Sequence, residues 1–390
     1  MKKSRREYTS LFFGIVVGFV LTRAGVYMHQ HVTFTQVFSS THPVEATEKD
    51  DTDEQDSHHT ESQAAVTLAV PGSKVQYTIA SDTPQFVILS FDGSKSVPML
   101  HETLAFEKKL QDEHKPLHFT YFINAAYFLT NQTAKLYHPP VGPAGVSIIG
   151  FSNTAPDIAE RVTAFNDAHA LGNEIGSHSV GHFDGTSWSY DEWKKEFDSF
   201  TSLMAAVQKN NPSTTIDTPT FLDSIRGFRA PVLGVNKHVY KVLADSHFLY
   251  DASGITPADA WPTNDTNGIW HIPLSMVLMG PKKSPVVAMD YNLWFYQSNG
   301  KNRAVQGTPL WNEYVSDIQT AYKNLFTAHY NGNRGPIVIG NHFTKWNDGV
   351  YFEAMKNFAE EVCGQPQVRC VTFSELVEYL NTTGAPRIAR

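Results

Sequence analysis

The stretch QFVILSFDGSKSV, residues 85–97, decides the fold. Its apolar run, 86–89 with Phe91, reads as a buried strand, and it ends in a carboxylate, Asp92, followed by Gly93. A helical pattern follows over 97–113, with Met99, Phe106 and Leu110 on one side, and Pro116 ends it. A second strand is expected at 118–123. The alternation continues. A helix is expected at 156–171, with Ile158, Val162 and Phe165 in register and Gly172 as its stop, and a strand at 174–177. Ser189 and Glu192 form a capping box ahead of the stripe Trp193, Phe197, Phe200, Met204 and Val207, which reads as core. Further strands are expected at 225–228, 268–273, 286–290 and 337–340, and helices at 236–245, 310–328, 351–362 and 373–381. Strand–helix alternation over about 300 residues implies an α/β fold around a mainly parallel sheet, open or barrel-shaped. In either form, polar residues at strand C-termini are where a site assembles. The Pro/Gly-rich insertion between Tyr127 and Pro156 is expected as a surface loop and a wall of a groove.

Outside this domain, taken as 71–385, the chain changes character. Four basic residues, Lys2, Lys3, Arg5 and Arg6, precede an uncharged apolar run at 11–21. That order is an export signal. Residues 1–30 are expected to be a signal peptide or an uncleaved membrane anchor, and the absence of a clean cleavage site favours the anchor. Residues 45–61 hold eight acids against one lysine, so 31–70 is expected to be an acidic disordered linker. The 390 residues are 41% hydrophobic and 18% charged, which fits a sizeable core. A formal net charge of -8 argues against a nucleic-acid partner. The two cysteines, Cys363 and Cys370, are expected to pair in an exported chain.

Four polar clusters stand just past expected strands: Asp92, the pair His178 and His182 in HSVGH, Arg229 in RGFRAP, and His342 in IVIGNHFTKW. Two histidines at i, i+4 on a helical turn would present both imidazoles to one side, as a divalent metal needs. With a strand-end carboxylate they make a two-histidine, one-carboxylate set that suits zinc and other transition metals. Metal-bound water attacks carbonyls near neutral pH. A carboxylate can serve as its base, a histidine opposite can protonate the leaving group, and an arginine can fix the carboxylate by two-point pairing. The set suffices for metal-assisted hydrolysis of an amide or ester.

The order FDG, HSVGH, RAP and a late strand-end histidine resembles the polysaccharide deacetylases, the NodB-homology carbohydrate esterases, over about 85–382. GNEIGSHSVGH is the most specific piece. SYDEW, RGFRAP, LYDAS, AMDYN and HFTKW…CVTFSELVEYL look closest to the chitin-deacetylase-like branch. The resemblance implies a distorted (β/α) barrel, a divalent metal, commonly zinc, and removal of N-acetyl groups from N-acetylglucosamine polymers such as chitin or peptidoglycan. It implies that His178 and His182 bind the metal, that Arg229 holds the catalytic base and that His342 is the general acid. Trp346 lies near an aromatic that walls the sugar site, one residue further from His342 than the pattern has it. Asp290 and Trp294 in DYNLW match a stretch that tunes the acid histidine, with Leu293 where a carboxylate is usual. The chain departs from the family at its first motif, which carries two adjacent aspartates, base then ligand. An ungapped match makes Asp92 the base and puts Gly93 on the ligand position. A one-residue gap makes Asp92 the ligand and leaves no base. Asp184, two residues past His182, is a candidate substitute ligand. Three functions follow: a metal-dependent deacetylase with an altered motif, a glycan-binding protein with impaired catalysis on the same scaffold, and a metal-independent amidohydrolase. Retention of four polar groups favours an enzyme.

Overall fold

The computed structural model describes residues 77, 78, 80, 82–256 and 259–388; the expected signal or anchor and the acidic linker lie outside the described residues. No helix among the described residues is long and apolar enough to cross a membrane. The strands are β1 Tyr77–Thr78, β2 Gln85–Asp92, β3 Phe119–Ile123, β4 Glu174–Ser177, β5 Gly227–Phe228, β6 Tyr250–Asp251, β7 Thr263–Asn264, β8 Trp270–His271, β9 Met276–Met279, β10 Ser284–Val287, β11 Ile337–His342, β12 Val368–Cys370 and β13 Arg387–Ile388. The helices are α1 Val97–Asp112, α2 Ala155–Ala170, α3 Tyr190–Ala205, α4 Val207–Asn210, α5 Lys237–Asp245, α6 Asp290–Ser298, α7 Pro309–Tyr330, α8 Trp346–Val362 and α9 Phe373–Thr383.

The main sheet runs β11-β2-β3-β4-β5-β6-β8-β7, parallel except for the β7–β8 pair, with β12 beside the first residues of β2. Beyond β8 the chain continues the ring through single bridges. Leu274 bridges Ile255, Ser275 N–H donates to Val338 O at 3.0 Å, and Met289 bridges Gly340 on β11. The α/β fold is therefore a distorted barrel, closed on one side by isolated bridges rather than by a full strand pair.

Both faces of β2 are buried, which is why its sequence is an apolar run rather than an alternation. Val87, Leu89 and Phe91 pack outward in the core shared with α1 and α8, while Phe86 and Ile88 join the inner core with Phe122, Tyr250 and Val338. The period of two then sends Ser90 and Asp92 inward as well. At the N-terminal end of the barrel, Phe373, Leu376, Val377 and Leu380 of α9 belong to the same inner core. Glu174, at the start of β4, accepts from Ser374 N–H and Oγ–H there. The C-terminal strand ends remain as the mouth.

Capping boxes start α2 (Thr154, Asp157), α3 (Ser189, Glu192) and α9 (Thr372, Glu375). The Cys363–Cys370 disulfide is formed, with Cα atoms 5.7 Å apart, and ties the end of α8 to β12. Three expectations change. The strand expected at 286–290 stops at Val287, and Asp290 opens α6, where its Oδ1 accepts Tyr291 N–H at 2.7 Å. The insertion is not wholly a surface loop: Tyr127, Phe128, Leu129 and Tyr137 are fully buried, and residues 141–150 form its more open part. Finally, 178–182 is no helical turn. Ser179 and His182 sit at φ 62° and 59°, so the segment is a tight loop.

Candidate active site at the mouth of the barrel

Asp92 is the last residue of β2, and parallel register places it directly beside His342, the last residue of β11. Neighbouring strands lie about 4.8 Å apart, so the two side chains leave the sheet at the same height. Asp92 is 2% exposed. Its Oδ1 accepts from Arg229 Nη1 at 2.7 Å, one contact rather than the two-point pairing expected from sequence. The same Nη1 donates to Ser90 Oγ at 2.9 Å and Nε donates to Ala252 O at 3.1 Å, while Nη2 has no hydrogen-bond partner among the described residues; the fully buried guanidinium lies above the Phe122 ring at 4.5 Å. Sequence reading missed Ser90. The signal for it is its parity, two residues before Asp92 on the inward face. Burial would raise the Asp92 carboxyl, but Arg229, with His178 and His342, outweighs it and holds the group below the ordinary carboxylate range.

His178 follows β4 and is buried. Its Nδ1 lies 2.7 Å from Arg229 O. A carbonyl only accepts, so Nδ1 carries the proton and Nε2 presents a lone pair. Burial holds His178 below the usual imidazole range. The His182 ring stands 5.0 Å away, at 71° to that of His178. The left-handed backbone at Ser179 and His182, not a helix, brings the two rings together. His182 Nδ1 is buried with no partner among the described residues, and burial, then His178 and His342, push this imidazole down to about 3.

His342 is gripped by Asp290. Oδ2 accepts its backbone N–H at 2.7 Å and Oδ1 lies 2.7 Å from Nδ1. The carboxylate fixes the ring and leaves Nε2 as its working atom. Trp346 stacks on Trp294 with ring centroids 4.8 Å apart and planes 3° from parallel, and it lies 5.5 Å from His342. A left-handed turn follows Trp346, with Asn347, Asp348 and Gly349 at φ 49°, 55° and 81°. Leu293 is fully buried in the core on the first turn of α6 and takes no part in the mouth.

The metal expectation meets a mixed donor set. His178 Nε2 and the orphaned, buried nitrogen of His182 fit a divalent ion, and the Nδ1 bond of His178 to a carbonyl fixes its ring and tautomer as such a ligand needs. The third donor is the difficulty. Gly93, at φ 81°, has no side chain to offer. Asp184 lies in an exposed turn, where its Oδ1 accepts Thr186 N–H at 2.9 Å and Oγ1–H at 2.5 Å. Among the described residues no group of three histidine, cysteine, aspartate or glutamate side chains is placed to hold a metal.

No family model matches the sequence, and no curated protein matches it. Solved structures do. A Mycobacterium smegmatis protein assigned to the polysaccharide deacetylases is 16% identical, with a TM-score of 0.48, covering 83% of this chain and 99% of that one. A family 4 carbohydrate esterase from Streptomyces lividans, solved with acetate, is 13% identical, with a TM-score of 0.38, covering 78% and 98%. A family 4 pseudoenzyme from Bacillus anthracis is 11% identical, with a TM-score of 0.38, covering 75% and 66%. The chain is thus similar in structure, over most of its length, to polysaccharide deacetylases and carbohydrate esterases, a set that includes both an esterase and a pseudoenzyme.

Proposed function

We propose that this chain is a polysaccharide deacetylase-like hydrolase. It removes acetyl groups from the N-acetylglucosamine units of a chitin-like polymer or peptidoglycan, with a divalent-metal site weakened by Gly93. The observation that carries the reading is the pairing, across one strand gap, of a carboxylate held ionised by Arg229 with a histidine clamped by Asp290. These are a base and an acid with opposite tasks at one mouth. Asp92 takes a proton from the attacking water, and Arg229 keeps it unprotonated between turnovers. His342 Nε2 donates a proton to the departing amine while Asp290 stabilises the ring charge. Trp346 and Trp294 offer an apolar wall for a sugar ring beside His342. His178 and His182 are the residues that would hold the metal, zinc or another transition ion. When bound, it would supply Lewis-acid polarisation of the acetamide carbonyl and of water. In this assignment Asp92 is the base rather than the ligand, because its contact is with Arg229.

Gly93 favours one other reading, a glycan-binding protein with impaired catalysis; a metal-independent amidohydrolase would use the same base and acid. We also place the protein outside the cytoplasm, since its disulfide persists in an oxidising compartment and its N-terminal sequence reads as an export signal or membrane anchor. Acetate release from chito-oligosaccharides and peptidoglycan, with added zinc or cobalt and with chelator, separates the three. Metal-stimulated release that is lost in Asp92→Asn and His178→Ala supports the proposal. Release that survives chelator and His178→Ala moves it to the metal-independent enzyme, and binding without release under any metal sinks both enzymatic readings.

A further inference from the structure

We propose that Glu196, a buried carboxylate on α3, is the positioning residue of the histidine loop, setting the separation of His178 and His182 through the backbone amides between them. The inference deepens the reading above and rests on it for the loop's task. Glu196 is fully buried although it sits nearly two turns into a helix whose exposed face is rich in charge. Its Oε1 accepts Val180 N–H at 2.8 Å and Gly181 N–H at 3.4 Å, and its Oε2 accepts Tyr137 O–H at 2.8 Å.

The rest of the loop's backbone is satisfied from other directions. Asn124 Nδ2 donates to His178 O, Ala125 N–H to Ser179 O, Ala126 N–H to Val180 O and Ile148 N–H to Gly181 O. The carbonyls thus face β3 and the insertion, and the two central amides face Glu196. Ser179 and His182 are non-glycine residues in the left-handed region, a conformation that persists only where surroundings over-determine it. Without the carboxylate, two buried amides lose their acceptor exactly between those two strained positions, so the loop relaxes and the imidazoles part. The Tyr137 bond extends the same carboxylate to the insertion, which rests on the loop: a Cβ at Gly181 would meet the Tyr137 ring at 2.7 Å.

Amide hydrogen exchange on the whole protein without metal tests this directly. Glu196→Ala should raise exchange at Val180 and Gly181 at least tenfold. Glu196→Gln, whose carbonyl oxygen still accepts both amides, should stay near wild type. Leu376→Ala, at the far end of the barrel, controls for general loss of stability and should leave the loop no more labile than the rest of the sheet. Should Glu196→Ala not fold, Tyr137→Phe decides, since it frees one carboxylate oxygen and leaves the ring in place; faster exchange at the same two amides is expected. Unchanged loop exchange in the folded variants, or a rise no greater than in Leu376→Ala, overturns the proposal. Zinc binding is the second readout. Where the wild type binds zinc, Glu196→Ala should raise Kd by about 10–100-fold, with recovery in Glu196→Gln. A wild type that takes up no zinc would refute the metal reading of the site, and exchange alone would then judge Glu196.

Discussion

The Asp92–Arg229 pair yields the sharpest energetic prediction, because both partners are out of water and joined through one contact. Arg229→Met removes the cation and leaves a buried carboxylate uncompensated, which costs about 3–5 kcal/mol of unfolding free energy. Asp92→Asn keeps the shape and one acceptor for Nη1 but leaves the guanidinium charge unneutralised, at about 1–3 kcal/mol. The double variant has neither charge and is expected to cost less than the sum, with a coupling of at least about 2 kcal/mol. Urea unfolding of all four proteins in chelator measures the cycle without a contribution from bound metal. The pH dependence has a definite sign. The Asp92 carboxyl is held below its ordinary value of 3.8, so its contribution is present above that pH and is lost as pH falls through the lower folded value. In Arg229→Met burial alone raises the carboxyl, so the gap to wild type should narrow on acidification, first above about pH 4 as the variant takes up its proton and then further through the lower folded value of the wild type. Additive single variants, or a gap indifferent to acid, would refute the claim that Arg229 keeps Asp92 ionised.

Glu107, fully buried on α1, has its carboxyl pushed up to about 7 by burial, against the bond from Asn173 Nδ2. A folded value above the unfolded 4.5 means that its contribution is full below 4.5 and lost as pH rises through 7. Glu107→Gln should thus gain about 2–3 kcal/mol on wild type between pH 4.5 and 8 in chemical unfolding, and parallel pH profiles would contradict it. Replacing both cysteines by serine opens a loop of sequence separation 7 and should cost about 2–3 kcal/mol relative to the oxidised wild type, while the reduced wild type should match the variant in urea unfolding. Gly93→Asp should raise zinc affinity at least tenfold in calorimetry, at a stability cost of about 1 kcal/mol for a side chain at φ 81°. Unchanged affinity would mean that position 93 does not face the histidines.

Much of the fold was legible because the inner strands carry dense apolar runs. Strands β2 and β4 and the capping box of α3 sit where their sequences put them, within a residue or two. What escaped was short or set by tertiary contacts. Tyr250–Asp251 is two residues long, too short for any periodicity, yet it carries the barrel from β5 to β8. Asp290 reads as a strand end in VVAMD but begins α6, because its carboxylate serves a helix start and the backbone of His342 together. Spacing brought the two histidines to notice, and the wrong local structure was assigned to them. A helical turn and a left-handed loop both put i and i+4 on one side, and only the partners of the intervening amides distinguish the two. Glu196 escaped notice as well, although its spacing, three residues after Trp193 and four before Phe200, places it within the apolar stripe of α3.

The proposed base and the prospective metal ligands draw their support from different parts of the chain. Asp92 depends on Arg229, Ser90 and the register with β11. The histidines depend on the β4 loop, Asn124 and the Arg229 carbonyl. Arg229 alone serves both, with its side chain on the base and its backbone oxygen on His178. A change from aspartate to glycine at position 93 therefore leaves the base, the acid and both imidazoles where they are. What it removes is one anionic donor, so the cost falls on metal affinity rather than on the positioning of the acid–base pair. In the proposed reading the chain is limited by its hold on metal, and Gly93→Asp, followed through zinc affinity and acetate release together, is the variant that tests it.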